Sequence, residues 1–254
     1  MKGYDILGNI AIVKFDRKES KKQKNISAQK LMKQHSNVKT VLEKTGKFKG
    51  RLRILSTKYV LGMNTKEAIY KENNCFFRFN VDTCYFSPRL ANERIEIAKQ
   101  VKKGENVLVM FAGCGPFPIV IAKNSSANRV VSIELSRQCI KYALENVKKN
   151  KLGDKAQIIQ GDVRKVKIKE KFDRIVMARP NLKDSFLNIA FKNIKKNGMI
   201  HYYGFYEESK INELRELIEK EARKAKKKIK ILKIKKAGDI GLRKYRYRVD
   251  FRVI

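Results

Sequence analysis

The chain is short of acidic residues, of paired cysteines and of long apolar runs, and each shortage removes a class of protein. Only 25 Asp and Glu stand against 60 Lys and Arg, a formal net charge of +35. Self-repulsion on that scale is relieved by a polyanion, which makes nucleic acid the leading partner. The four cysteines, Cys75, Cys84, Cys114 and Cys139, form no C-x-x-C pair, so neither a zinc ribbon nor a redox dithiol is indicated; buried thiols in a reducing compartment are expected, and no metal. The opening MKGYDILGNIAIVKF lacks the longer apolar core and small-residue cleavage site of a signal peptide. No apolar run approaches the ~20 residues of a membrane span. A soluble cytoplasmic protein is expected. The two histidines, His35 and His201, are expected to be structural.

What is present is enough apolar material, 43% of 254 residues, for one large domain or two modest ones. The positive charge is spread along the chain: residues 1–84 hold 19 basic and 7 acidic side chains, and residues 209–254 hold 17 and 6. No single basic tail explains it. Residues 1–83 read as a small basic α+β RNA-binding domain, with an extended hairpin-forming stretch at YDILGNIAIVKF and a helix at NISAQKLMKQH. Strands are expected at VKTVLEK, RLRIL, EAIYKE and CFFRFNV, and the most basic loops at KKQKN and KTGKFKGR.

Residues 84–254 change to long alternating units. A helix over about 88–102 leads into NVLVMF, a continuous apolar run suited to a strand buried on both faces. A helix from Phe117, the strand RVVSIEL, the helix SRQCIKYALENVKKN and the strands AQIIQ and FDRIVMA follow. DSFLNIAFKNI, GMIHYYGF and SKINELRELIEKEARKA continue the alternation, and KIKILKI and RYRVDFRV end it as adjacent strands. That order predicts an α/β fold, a doubly wound Rossmann-like sheet with an antiparallel terminal hairpin.

The turn FAGCGPF, with Phe111, Gly113 and Gly115, follows the first buried strand. Small residues there let a ligand approach the backbone, and the helix beyond offers unpaired N–H groups. About twenty residues on, Glu134 ends the next strand, where a carboxylate can accept both hydrogen bonds of a ribose diol. Asp162 and Val163, in GDVR, follow the third strand; Asp162 is placed to accept from an adenine amine. Ribose plus adenine suits a dinucleotide or S-adenosylmethionine. Pro118 stands where the third glycine of a G-x-G-x-x-G fingerprint falls, and the terminal hairpin and GDV segment resemble class I S-adenosylmethionine-dependent methyltransferases.

Four stretches, YDILGNIAIV, YKENNCFFRFNVDTCYFSPRLANER, MFAGCGPFPIVIAK and GMIHYYGF, extend that resemblance. Over residues 4–254 the chain resembles the archaeal and eukaryotic tRNA methyltransferases that modify N1 of guanosine 37, beside the anticodon. The chain starts where that family's second domain starts, so its N-terminal tRNA-elbow-binding domain is expected to be missing. The resemblance implies Glu93 as the general base that takes the N1 proton and Arg53, in GRLRIL, as the cation that shelters the charge left on O6. Arg53 is chosen over Arg51 by position matching, alternation placing both on one strand face. Tyr85 and Arg89 are expected to shape the cofactor and guanosine pocket. A sulfonium is already a good leaving group, so the chemistry asks for neither a metal nor a covalent nucleophile.

Two positions depart from the family. Val109 stands where an acidic residue usually holds the methionine amino group. In MARP, Ala178 replaces an asparagine that orients the target base, Arg179 adds a charge and Pro180 remains; these three are the expected substrate-binding residues. Methylation of a tricyclic wyosine precursor, aminocarboxypropyl transfer in the same pathway and a catalytically silent tRNA-binding protein are the alternatives; the SPR element and Glu93 favour methyl transfer. The expected partner is the anticodon arm of tRNA, bound by a monomer through its basic loops and KKAGDIGLRKYRYR, with Arg243 and Lys244 positioning it and affinity falling with salt.

Overall fold

The computed structural model describes residues 1, 3–46, 48 and 50–254; Lys47 and Lys49 of the basic KTGKFKGR loop lie outside the described residues. The chain opens with a hairpin of β1 (Gly3–Leu7) and β2 (Ile10–Lys14), then α1 (Lys21–Gln34), β3 (Thr40–Lys44) and β4 (Thr57–Gly62). The four strands form one sheet in the order β1-β2-β3-β4. The β2–β3 pair is parallel because α1 supplies the crossover a parallel pair needs. A capping box between Ser20 and Gln23 starts α1, and Ala28 and Leu31 on its inner face pack on Val13 and Val41.

RLRIL does not form the expected strand. Gly50 (φ 63°) and Arg53 (φ 57°) turn the chain back, with the Arg53 N–H donating to the Gly50 carbonyl, and the strand comes afterwards as TKYVLG of β4. Arg51 and Arg53 therefore share no strand face.

A second hairpin, β5 (Glu67–Glu72) and β6 (Cys75–Asn80), turns through Asn73 and Asn74 at φ 46° and 59°, as a two-residue type I′ turn requires. After a 3-10 turn at Pro88–Leu90 come α2 (Ala91–Gln100), β7 (Asn106–Met110), α3 (Pro116–Asn124), β8 (Arg129–Glu134), α4 (Arg137–Lys149) and β9 (Ala156–Gln160). Then follow β10 (Phe172–Met177), α5 (Leu187–Asn193), β11 (Ile194–Glu207), α6 (Ile211–Lys224), β12 (Ile229–Gly241) and β13 (Lys244–Val253). The side-chain amides of Asn146 on α4 and of Asn150, its C-cap, bond the backbone of Arg78 and Phe76 at 2.7–3.0 Å, satisfying one edge of the β5–β6 hairpin.

The large sheet has the order β12-β13-β11-β10-β7-β8-β9. β11, β10, β7, β8 and β9 run parallel, and β13 and β12 add antiparallel, as the alternation and terminal hairpin predict. Helices α2 to α4 share one core with the β5–β6 hairpin, and α5 and α6 pack on the other face. The first strand, β7, lies between β8 and β10, so the chain leaves it in both directions and a crevice opens at its carboxyl end. Among the described residues no helix is long and apolar enough to cross a membrane.

Candidate active site

The crevice is a cavity of about 1160 Å³, open mouth included, between the carboxyl ends of β7, β8 and β10 and the loop that carries Arg51 to Arg53. Phe111, Gly113 and Gly115 all have φ between 59° and 93°, which reverses the chain from β7 into α3. At Gly113 the nearest atom to an added Cβ lies 3.8 Å away, so this backbone faces the open cavity. At Gly115 a Cβ would lie 2.8 Å from Ile119, so that glycine serves packing and is absent from the lining.

Glu134 closes the far end of the turn. Its two oxygens accept from the backbone N–H groups of Gly113 (2.7 Å) and Ser136 (2.8 Å), and each keeps a lone pair for a ligand. Burial raises its pKa against the opposing pull of those N–H groups. A ribose diol, which brings donors without charge, fits that carboxylate. Phe111, Ile133, Val163 and Phe186 give the same end an apolar slot. Asp162 lines it too, but its carboxylate already accepts from Arg164 and from Arg51 at 2.7 Å, which hold its pKa well below the usual range. Val109 is fully buried within β7 between Ser132 and Val176 and does not reach the cavity.

The opposite wall is a ladder of guanidinium and aromatic groups. Arg53 lies over the rings of Phe48 (5.0 Å) and Tyr85 (4.6 Å); Arg246 donates to the Tyr85 hydroxyl at 3.3 Å and lies 5.4 Å over Phe205. Arg179 stands 5.9 Å from Phe205 on the same ladder. Burial alone would raise the Tyr85 phenol; Arg246 and then Arg53 outweigh it and hold the pKa below the ordinary value. Ala178, Arg179 and Pro180 all line the cavity. Arg179 donates through Nη2 to the carbonyls of Leu182 and Asp184, pinning the 182–184 loop, while its buried Nε has no hydrogen-bond partner among the described residues.

The cavity thus brings together Arg53, Tyr85, Phe111, Gly113, Glu134, Asp162, Val163, Ala178, Arg179 and Pro180. Other expected site residues lie elsewhere. Arg89 is 70% exposed and pairs with Asp5 at 2.9 Å, which accounts for a cation at the start of a helix. Arg243 and Lys244 sit at the exposed tip of the β12–β13 hairpin, Lys244 paired with Glu207 at 3.2 Å. Glu93 is 5% exposed and stands one layer behind the lining. Its Oε1 holds Lys235 at 2.7 Å; its Oε2 holds Arg248 at 2.7 Å and accepts from the Tyr203 hydroxyl at 3.1 Å. Tyr203 itself lines the cavity, and burial together with Glu93 keeps its phenol firmly protonated.

Sequence reasoning passed over Arg51, Tyr203 and Arg246. Tyr and Arg alternate in YRYR over residues 245–248, but one solvated and one buried face is the ordinary meaning of that pattern. Glu93 and Glu96, three apart on α2, were the available signal that a cationic strand face packs there.

Comparison with known proteins follows the same lines. Residues 68–232 match the family model of the TRM5/TYW2 methyltransferase domain, and residues 1–65 match that of the TYW2 N-terminal domain. A curated relative, the tRNA (guanine(37)-N(1))-methyltransferase Trm5b of Pyrococcus abyssi, is 36% identical over 255 residues, covering 98% of this chain and 74% of that protein. The tRNA (guanine(37)-N(1))/4-demethylwyosine(37)-methyltransferase Taw22 of Nanoarchaeum equitans is 33% identical over 304 residues, covering 99% of each. Among solved structures, the complex of aTrm5 with tRNALeu superposes with a TM-score of 0.88 at 28% identity, covering 100% of this chain and 72% of that one.

Proposed function

The chain belongs to the TRM5/TYW2 methyltransferase family, and from that premise we propose that it transfers a methyl group from S-adenosylmethionine to N1 of guanosine 37 in tRNA. The observation that carries this reading is one cavity with a carboxylate suited to a ribose at one end and guanidinium and aromatic groups at the other. Glu134, Gly113 and the apolar slot of Phe111 and Val163 hold the adenosyl group, and S-adenosylmethionine supplies an electrophilic methyl carbon there.

The protein's own work is to ionise the guanine. N1 carries a proton that must leave, and the charge then spreads to O6. Arg53, fixed between Phe48 and Tyr85, is the oxyanion partner. Glu93 is the general base, reached from the cavity through Tyr203, whose hydroxyl already donates to it. The N1 proton passes to the Tyr203 hydroxyl oxygen as the hydroxyl's own proton passes to Oε2 of Glu93, the oxygen it already bonds. The protein acts as a cytoplasmic monomer, with residues 1–83 as its RNA-binding part. Arg243 and Lys244 rest on the anticodon arm, and that arm carries the recognition.

A second reading has an observation in its favour. Residues 1–65 match the TYW2 N-terminal model, and Ala178 with Arg179 depart from the expected asparagine, so a wyosine precursor at position 37 is the alternative substrate. One experiment separates the two. Anticodon-arm minihelices carrying guanosine or the tricyclic base at position 37 are each incubated with methyl-labelled or carboxyl-labelled S-adenosylmethionine, and the nucleosides are identified by mass. Methyl label in 1-methylguanosine is expected; carboxyl label in RNA, or labelling only of the tricyclic base, overturns the first reading.

A further inference from the structure

Burying a guanidinium without a carboxylate is costly, so the pairing of each arginine shows what it is for. Four of the arginines that are not exposed are paired: Arg78 with Glu145 at 2.9 Å, Arg174 with Glu105 at 2.8 Å, Arg248 with Glu93 at 2.7 Å, and Arg94 with Glu72. The other three are Arg53, Arg179 and Arg246. Among the described residues none of these has a carboxylate within ion-pairing distance, and all three line the cavity. Among the described residues, guanidinium groups that are both shielded from solvent and uncompensated are therefore confined to one place.

S-adenosylmethionine does not balance them. Its carboxylate is offset by its own ammonium, and its sulfonium adds another positive charge. The cavity's two acids are engaged as well, Asp162 by Arg51 and Arg164 and Glu134 at the opposite end. With cofactor in place the ladder still lacks an anion, and the RNA must bring it. Of the nucleotide's groups only the phosphodiester carries a full negative charge before reaction. Arg53 has its own use at O6, which leaves Arg246 and Arg179, 5.4 and 5.9 Å from the Phe205 ring.

We propose that Arg246, with Arg179 behind it, is a substrate-binding residue that holds the phosphodiester flanking the target guanosine inside the cavity. This deepens the methyltransfer reading above and rests on it. Arg246 is fixed for that role by the Tyr85 hydroxyl on one side and the Phe205 ring on the other, so its free N–H groups are pre-oriented. Arg179 holds the 182–184 loop in place and adds its field.

The test is Arg246→Gln, with Arg215→Gln on the exposed face of α6 as a control for loss of one charge. Binding of a guanosine-37 tRNA is measured by fluorescence anisotropy over a salt series, and S-adenosylmethionine binding by calorimetry. Equilibrium binding reads the contact whether or not methyl is transferred, so failure of the methyltransfer reading is seen separately. Arg246→Gln is expected to make the log–log salt slope shallower by about 1 and raise KM for tRNA on the order of tenfold, with cofactor affinity unchanged within about twofold. Arg215→Gln is expected to do neither. A salt slope no different from the control's overturns the proposal, and so does a parallel loss of cofactor affinity, which would assign Arg246 to the methionine carboxylate. A fall in kcat with KM and slope intact also overturns it, in favour of O6.

Discussion

Arg246 and Arg248 lie two residues apart on one face of β13, and their surroundings differ in kind. Arg248 is fully buried and closes a network: it bonds Glu93, Glu96 and Asp250, Asp250 accepts from His201, and His201 meets Arg174, which holds Glu105. Arg246 is half-buried, has an aromatic ring and a phenol for company and, among the described residues, no carboxylate. The closed network fixes β13 against α2 and β11 and so sets where Glu93 stands. The open ladder is left for a ligand to complete. The same side chain is scaffold in one place and receptor in the other, and the presence of a carboxylate decides which.

Substitution sharpens that contrast. Arg248→Met removes the cation shared by Glu93, Glu96 and Asp250, two of them buried, and is expected to cost about 3–5 kcal/mol in a denaturant melt. Arg246→Gln removes a charge that has no partner and is expected to leave stability unchanged. Equal losses in the two variants would erase the distinction. Acid should act on the closed network as well. Arg174 can only donate to His201 Nε2, so the neutral ring carries its proton on Nδ1 and gives it to Asp250. Burial lowers the His201 pKa despite Asp250, so its contribution is present above about 6.5 and is lost as pH falls through the lower folded value. Burial would raise Glu96, but Arg248 and Lys235 outweigh it and bring it down to about 2, so a second loss is expected between about 4.5 and 2. That second limb should flatten in Arg248→Met, and a wild-type profile level from pH 7 to 3 would contradict the network.

The smallest effect belongs to the hairpin tip. Arg243→Gln with Lys244→Gln is expected to leave stability within about 0.5 kcal/mol and to make the salt slope of tRNA binding shallower by about 1. Most of it should come from Arg243, because Lys244 is already paired with Glu207. An unchanged slope removes the tip from the RNA interface.

The doubly wound sheet was readable because NVLVM, RVVSIE and FDRIVM are short segments dominated by apolar, largely β-branched residues and separated by helix-length periodic segments. Gly113 and Glu134 were readable because a glycine turn and an acidic strand end mark a nucleotide crevice wherever they follow two adjacent parallel strands. RLRIL was not, since its left-handed Arg53 is a matter of turn geometry that strand propensity hides. Asp162 was placed correctly at the crevice, yet its saturation by Arg51 joins residues 111 apart and follows from how the first sheet's loop folds over the second. The pairing of Arg248 with Glu93 is similarly remote, and only the register of β13 against β11 and β12 brings it about.

The proton acceptor is the point to test. Single-turnover methyl transfer by Glu93→Gln, with cofactor and tRNA saturating and folding checked by melt, is expected to fall on the order of 100-fold or more. A rate within a few-fold of wild type would make Glu93 a strut for Arg248 and Lys235 and leave the ionisation of guanine to another group.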